Sequence, residues 1–128
     1  VNNNFILVGG SHVYRRKYYI VKKEFVEEFN EHFNKNNLPN QLKHGSRLIG
    51  RWMKENQDDT DTVEIFAIWE YDSYESYLKI ESNVRNDKKH VERVKDWYEK
   101  NGGKAHVFNE YIVEVKNEAL ESTVKNDV

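Results

Sequence analysis

The sharpest alternation of apolar and polar positions along the chain lies in the stretch that opens at Thr62. Val63, Ile65, Ala67, Trp69 and Tyr71 alternate with Glu64, Phe66, Ile68 and Glu70, which is the period-two pattern of a β-strand. The first set is apolar throughout. The second carries Phe66 and Ile68 at its centre between two glutamates, so neither face of this strand is built to stand in water. Helices can cover one face. A second sheet is the natural cover for the other, and the pattern predicts self-association of the chain through its sheet.

The remaining elements follow from the same reading. A first strand is expected over 14–21, with Tyr14, Arg16, Tyr18 and Ile20 on one face and Arg15, Lys17, Tyr19 and Val21 on the other. Phe25, Phe29 and Phe33 recur every four residues, with Val26 beside them, and predict a helix over 23–34. The cluster Asn36-Asn37-Leu38-Pro39-Asn40 reads as its breaker. A second strand is expected over 46–54, where Leu48 and Trp52 oppose Ile49 and Met53, and Arg47 and Arg51 share the Ile49 face. A polar hairpin connection over 56–61 leads into the doubly apolar third strand. Asp72 or Ser73 caps a second helix running to 85, Asn86-Asp87-Lys88 marks a break, and a third helix spans 88–100 before the Asn101-Gly102-Gly103 stop signal. The last strand is expected over 106–116, with Val107, Tyr111, Val113 and Val115 as its apolar positions. Residues 118–128 read as a polar tail. Residues 1–13 read as an N-terminal extension in which Phe5-Ile6-Leu7-Val8 has the makings of a short strand, while Gly9-Gly10-Ser11-His12 has the look of a cloning linker.

The order β-α-β-β-α(α)-β is the α+β, ferredoxin-like split-βαβ plan, an antiparallel sheet with helices on one face. The domain is expected over 14–117. Composition sharpens the case for association. With 33% charged and 38% apolar residues the core is small, although three Trp, eight Tyr and six Phe supply large buried area per side chain. Twenty basic against twenty-two acidic residues give a net charge of −2, without the basic excess that marks a nucleic-acid binder. The chain has no cysteine, and no apolar run approaches the ~20 residues of a membrane span, so no membrane association and a cytoplasmic location are expected.

Within this plan, the run from Phe66 to Tyr77, which includes Trp69-Glu70-Tyr71-Asp72-Ser73-Tyr74, resembles the NIPSNAP family of the dimeric α/β-barrel superfamily. Further likeness lies in Tyr14-Arg15-Arg16-Lys17-Tyr18-Tyr19, in Leu38-Pro39-Asn40-Gln41, and in the stretch that begins Asp96-Trp97-Tyr98 and ends at Gly103. The resemblance implies a homodimer in which two ferredoxin-like subunits close a barrel through their sheet faces. The superfamily includes cofactor-free monooxygenases, haem-degrading monooxygenases and small isomerases. The haem-degrading pattern is not met: the first strand has no Asn, Tyr77 stands where those enzymes have Trp, and Asp87 where they have His. No cofactor is therefore expected.

Candidate chemistry rests on polar groups lodged in apolar helical stripes. Glu81 falls near the middle of the arc that Tyr74, Tyr77, Leu78 and Val84 define, with Arg85 one turn on; an ionised side chain in such a place needs a partner. His90 shares a stripe with Val94 and Trp97, and His32 lies at the edge of the phenylalanine stripe. A salt bridge for Glu81 and satisfied boundary roles for the histidines are the plainer readings. The functional one is a homodimer holding a small, mostly apolar molecule between sheet and helices, with Trp69, Tyr77, Arg85 and His32 lining the ligand. Its enzymatic alternative is a cofactor-independent monooxygenase or isomerase, in which Glu81 or His90 takes a substrate proton. Arg47 and Arg51 could bind an anion such as a carboxylate, or pair across strands with Glu64 or Glu70. No metal site is expected, because no histidine pair stands at ligand spacing.

Overall fold

In the computed structural model, residues 12–55 and 59–125 are described. The expected features of residues 1–11, and Asn56-Gln57-Asp58 of the hairpin connection, lie outside the described residues. Four strands, β1 (Val13–Lys22), β2 (Arg47–Met53), β3 (Thr62–Tyr71) and β4 (Ile112–Leu120), form one antiparallel sheet in the order β2-β3-β1-β4. This is the ferredoxin-like arrangement, and the doubly apolar β3 lies inside it. The helices are α1 (Val26–His32), α2 (Leu38–Lys43), α3 (Tyr74–Arg85), α4 (Lys88–Lys100) and α5 (Lys104–Glu110).

The helices cover the face that carries Val63, Ile65, Ala67, Trp69 and Tyr71, none of which is more than 7% exposed. Register carries that face across the sheet, since Val21 lies opposite Val63, Tyr19 opposite Ile65 and Lys17 opposite Ala67. The other face presents Phe66 and Ile68, both half-buried, together with Tyr14, Arg16 and Tyr18 of β1.

Three expectations about the elements are corrected. The first concerns Leu38-Pro39, which does not end the first helix. Five residues, Phe33–Asn37, widen into a π-helical stretch that leads directly into α2. Pro39 occupies the first turn of α2, where a missing N–H leaves no bond unmade. The second concerns the last strand, which begins at Ile112, whereas the stretch around His106 is the helix α5. Val107 and Tyr111 are four apart, a spacing that suits a strand's period of two and one turn of helix equally. Gly103, at φ +100°, starts that helix from a left-handed position few other residues adopt. Since β4 runs to Leu120, the tail expected from 118 begins inside the strand.

The third correction concerns Arg47 and Arg51, which do not share a face. A register irregularity between Leu48 and Gly50 places Arg47 opposite Glu70 on the outer face and Arg51 opposite Ala67 on the helix face. One extra residue in a strand reverses every side chain beyond it. Past the irregularity, Trp52 lies on the outer face opposite Phe66, with ring centroids 5.5 Å apart. Its ring folds back over Gly50, so tightly that a Cβ there would collide with it.

The α3 and α4 starts follow the sequence closely. Ser73 is the N-cap of α3, its Oγ accepting from the Ser76 N–H at 3.0 Å, and Asp87 caps α4 by accepting from the His90 N–H at 3.2 Å. No helix among the described residues is long and apolar enough to cross a membrane.

Candidate ligand-binding site

The apolar interior falls into two clusters. At one end Val21, Phe25, Phe29, Ile65, Trp97 and Val107 pack together with their neighbours; at the other, Ala67, Trp69, Tyr71 and Tyr77 form a second cluster edged by Phe33, Leu38 and Ile80. Close-packed interiors leave few voids larger than a water molecule. Here the clusters are parted by a cavity of about 280 Å³, walled by Phe29, Trp97 and Ile112 of the first and by Ala67 and Trp69 of the second. It opens between the helix face of the sheet and the first helical segment, whose π-helical stretch supplies Phe33 and Asn37 to the wall. Its size is at the lower edge of the roughly 300–1,000 Å³ typical of small-molecule sites.

Three basic side chains line this apolar space: Lys17, His32 and Arg51. Lys17 projects from β1 and is paired with Glu81 of α3, Nζ to Oε1 3.4 Å, both side chains being less than a quarter exposed. His32 is 6% exposed and its ring stacks on Trp97, centroids 3.8 Å apart and 7° from parallel. The Asn36 side-chain amide donates to His32 Nδ1 at 2.9 Å, which leaves the ring proton on Nε2. Burial, reinforced by the nearby His90, pulls the His32 pKa down to about 4, so at neutral pH the imidazole is uncharged.

Arg51 differs from both. Its guanidinium carbon lies 4.2 Å from the centroid of Phe33 and 5.4 Å from that of Phe29, so the group is held among aromatic rings. Nη1 donates to Asn30 Oδ1 at 2.7 Å, while Nη2 is buried without a hydrogen-bond partner. Among the described residues no carboxylate forms an ion pair with it. Burial lowers its pKa to about 10, which still leaves the side chain charged at neutral pH.

The expected site residues divide. Trp69 and His32 line the cavity; Tyr77, Glu81, Arg85 and His90 are not among its walls. Tyr77 packs edge-on against Tyr71, centroids 4.9 Å apart, on the far side of the second cluster. Glu81 reaches the cavity only through its bond to Lys17, a residue 64 positions away that helical projection could not supply in place of Arg85. Arg85 is exposed at the end of α3. His90 sits in the first turn of α4, where burial first and Arg93 second hold its pKa below the ordinary value, and its Nδ1 is buried without a partner. Near it, Asp87 accepts from His44 Nε2 at 2.9 Å and Lys43 Nζ at 3.0 Å, tying the end of α2 to the start of α4. These bonds hold the Asp87 carboxyl well below the usual range. Arg51, by contrast, is central, although the sequence offered it only as one of two candidate anion binders on a face shared with Arg47. Among the described residues no group of three or more His, Asp or Glu is placed to hold a metal ion.

Comparison with solved structures gives the same architecture. A NIPSNAP-like domain protein from Burkholderia xenovorans superposes with TM-score 0.66 at 17% identity, covering 89% of this chain and 87% of that one. A NIPSNAP family protein from Agrobacterium tumefaciens C58 superposes with TM-score 0.67 at 12% identity, covering 88% and 93%. A second from the same strain gives 0.65 at 15%, covering 88% and 89%. At such identities these likenesses speak for the fold. No curated protein matches the sequence. The sequence itself carries the assignment further, because residues 14–103, from β1 to the glycine that opens α5, match the family model NIPSNAP, and the chain therefore belongs to the NIPSNAP family.

Proposed function

We propose that this protein is a homodimer that holds a small, mostly apolar molecule in the cavity between sheet and helices. The observation that carries the reading is the break in the core itself. A chain with so modest an apolar fraction leaves about 280 Å³ unfilled and rings it with Phe29, Phe33, Trp69 and Trp97. Unfilled space of this kind forgoes dispersion contacts and destabilises a fold, so a core that keeps it is suited to an occupant. Binding without catalysis is the better reading of the geometry. Glu81, the expected general base, is engaged with Lys17, and His90 stands outside the cavity wall.

Trp69 and Trp97 both line the space, which makes occupancy directly readable. In a Trp52→Phe background, where emission comes from these two indoles, 4-bromobenzyl alcohol is expected to quench fluorescence saturably and to raise the melting temperature. Linear, unsaturable quenching with no thermal shift would refute the cavity reading.

The dimer rests on the outer sheet face, where Phe66 and Ile68 lie at the centre and Trp52 is 47% exposed beside them. An apolar strip of this kind on a small domain is suited to burial against a second copy. Phe66→Asp is expected to give monomers by light scattering with the fold intact. Dimers that persist in this variant at micromolar concentration would remove that face from the interface.

A further inference from the structure

We infer that the molecule held in the cavity is a monoanion, a carboxylate on an apolar or aromatic body, whose charge is met by Arg51. This rests on the ligand-binding reading of the same cavity and adds the chemical class of the ligand.

The argument is a balance of charge. Of the cavity's basic side chains, Lys17 already has its carboxylate in Glu81, and His32 is neutral. Arg51 alone brings charge without an anion: its one acceptor is the uncharged Asn30 amide oxygen, and a second donor nitrogen is buried without a partner. Taking a guanidinium out of water without an anion is strongly unfavourable, and aromatic faces offset only part of that. Arg51 lies on the helix face, opposite Ala67. A second subunit packed on the outer face is thus separated from it by the sheet and cannot supply the missing carboxylate. Only a group that enters the cavity can.

The same balance sets the ligand's charge and shape. One uncompensated positive charge calls for one negative charge; a dianion would need Lys17 to leave Glu81. The guanidinium's planar fork of N–H donors matches the two oxygens of a carboxylate. Beyond it the wall is mostly apolar, with Tyr19, Trp69, Trp97, Phe108 and Ile112 beside the amides of Asn37 and Gln41, which suits a ring or short alkyl chain.

The test titrates the full chain at pH 7 by calorimetry and protein NMR with phenylacetate, 3-phenylpropionate and octanoate, each against its uncharged carboxamide. The acids are expected to bind at least about tenfold more tightly than the amides, as a charge-assisted hydrogen bond implies. In Arg51→Met that preference is expected to vanish, the acids losing more affinity than the amides; in Arg51→Lys part of it survives. Amides binding as well as acids in the unmutated protein would overturn the anion assignment and leave the cavity reading standing. An acid preference retained in Arg51→Met would place the charge elsewhere and overturn the role of Arg51. Failure of both acids and amides to bind, together with no response to the uncharged brominated probe, would overturn the cavity reading and this inference together. Should Arg51→Met fail to fold, the acid-to-amide ratio in the unmutated protein and the Arg51→Lys variant decide the question.

Discussion

The two faces of the sheet handle their polar groups in opposite ways. On the outer face nearly every charge has a counter-charge within the chain. Arg16 donates to Glu118 at 2.8 Å, Tyr18 to Glu64 at 2.6 Å, Lys54 to the same carboxylate at 3.2 Å, and both Tyr14 and Arg47 to Glu70 at 2.9 and 3.1 Å. Arg16 also lies over the Tyr18 and Phe66 rings at 4.7 and 5.4 Å. The Glu64 bond pushes the Tyr18 phenol up to about 12 and holds the Glu64 carboxyl below its usual range. On the helix face, which is far drier, neither Arg15 nor Arg51 has an anion among the described residues; Arg15 donates to the Asn117 side chain, whereas an Arg51 donor is buried without a partner. Within a single subunit water still reaches the charges of the outer face, so pairing there is of small consequence; on the inner face pairing matters, and Arg51, with a donor nitrogen buried, lacks it among the described residues. That inversion separates the face whose charges are met within the chain from the face that awaits a ligand.

The contrast can be broken or sharpened by substitution. The largest effect is expected at Trp97, which stacks on His32, packs 5.6 Å from Phe25 and donates from its indole to Glu28 at 2.7 Å. Trp97→Ala is expected to lower unfolding free energy by about 4 kcal/mol in urea titrations, the usual range for emptying such a site. A loss below about 1 kcal/mol would mean that the inner face is not the stabilising one.

The next effect appears with pH. The folded His32 pKa of about 4 lies below the unfolded value, so the unfolded chain binds the proton more readily between the two. Its contribution is therefore full above about pH 6.5 and is lost as pH falls toward 4, amounting to about 3 kcal/mol at most. His90, depressed in the same direction, adds to that slope. Glu28, whose charge acts the other way on His32, lessens it. His32→Phe, which keeps a ring on Trp97, is expected to flatten the stability profile between pH 6.5 and 4.5 in chemical denaturation. An unchanged slope would place the acid sensitivity in the carboxylates alone.

Two arginines on β2 then carry the comparison to its point, because their removal is expected to have opposite signs. Burial holds the Arg51 pKa near 10, below its unfolded value, so the charged side chain opposes folding at every pH below that and ceases to do so only in strong alkali. Arg51→Met is expected to stabilise the unliganded protein by about 2 kcal/mol, as replacement of buried ionic groups by apolar ones often does. Arg47→Ala, which removes the outer pairs with Glu70 and Asp72, is expected to destabilise by less than about 1 kcal/mol, and less still in high salt. Equal losses at both positions, measured by thermal unfolding, would erase the distinction between the faces.

Strand number, strand order along the chain, a cap at Asp72 or Ser73, the break at Asn86-Asp87-Lys88 and the two-sided character of β3 were legible in the sequence because each depends on neighbours a few positions away. Alternation shows which side chains travel together, and a serine before a helical stripe shows where the backbone needs an acceptor. The misread stretches were those where local signals are ambiguous. Pro39 breaks a helix in its interior but starts one in its first turn, and only the turn it occupies tells which. Val107 and Tyr111 fit either period.

The site was a different matter. That Trp69 and His32 share a cavity could be anticipated from their apolar stripes, whereas the pairing of Glu81 with Lys17 joins residues far apart in the chain, and no periodicity encodes it. Arg51 was placed on one face with Arg47, because a one-residue irregularity in β2 leaves no trace in composition. By itself, then, the sequence determined the elements and the double-sided sheet, since hydrophobic periodicity acts locally and along one strand or helix at a time. Tertiary structure alone decided which face the helices took, where the two clusters failed to meet and which arginine was left with a buried donor unpaired, because those depend on register and packing between elements distant in the chain.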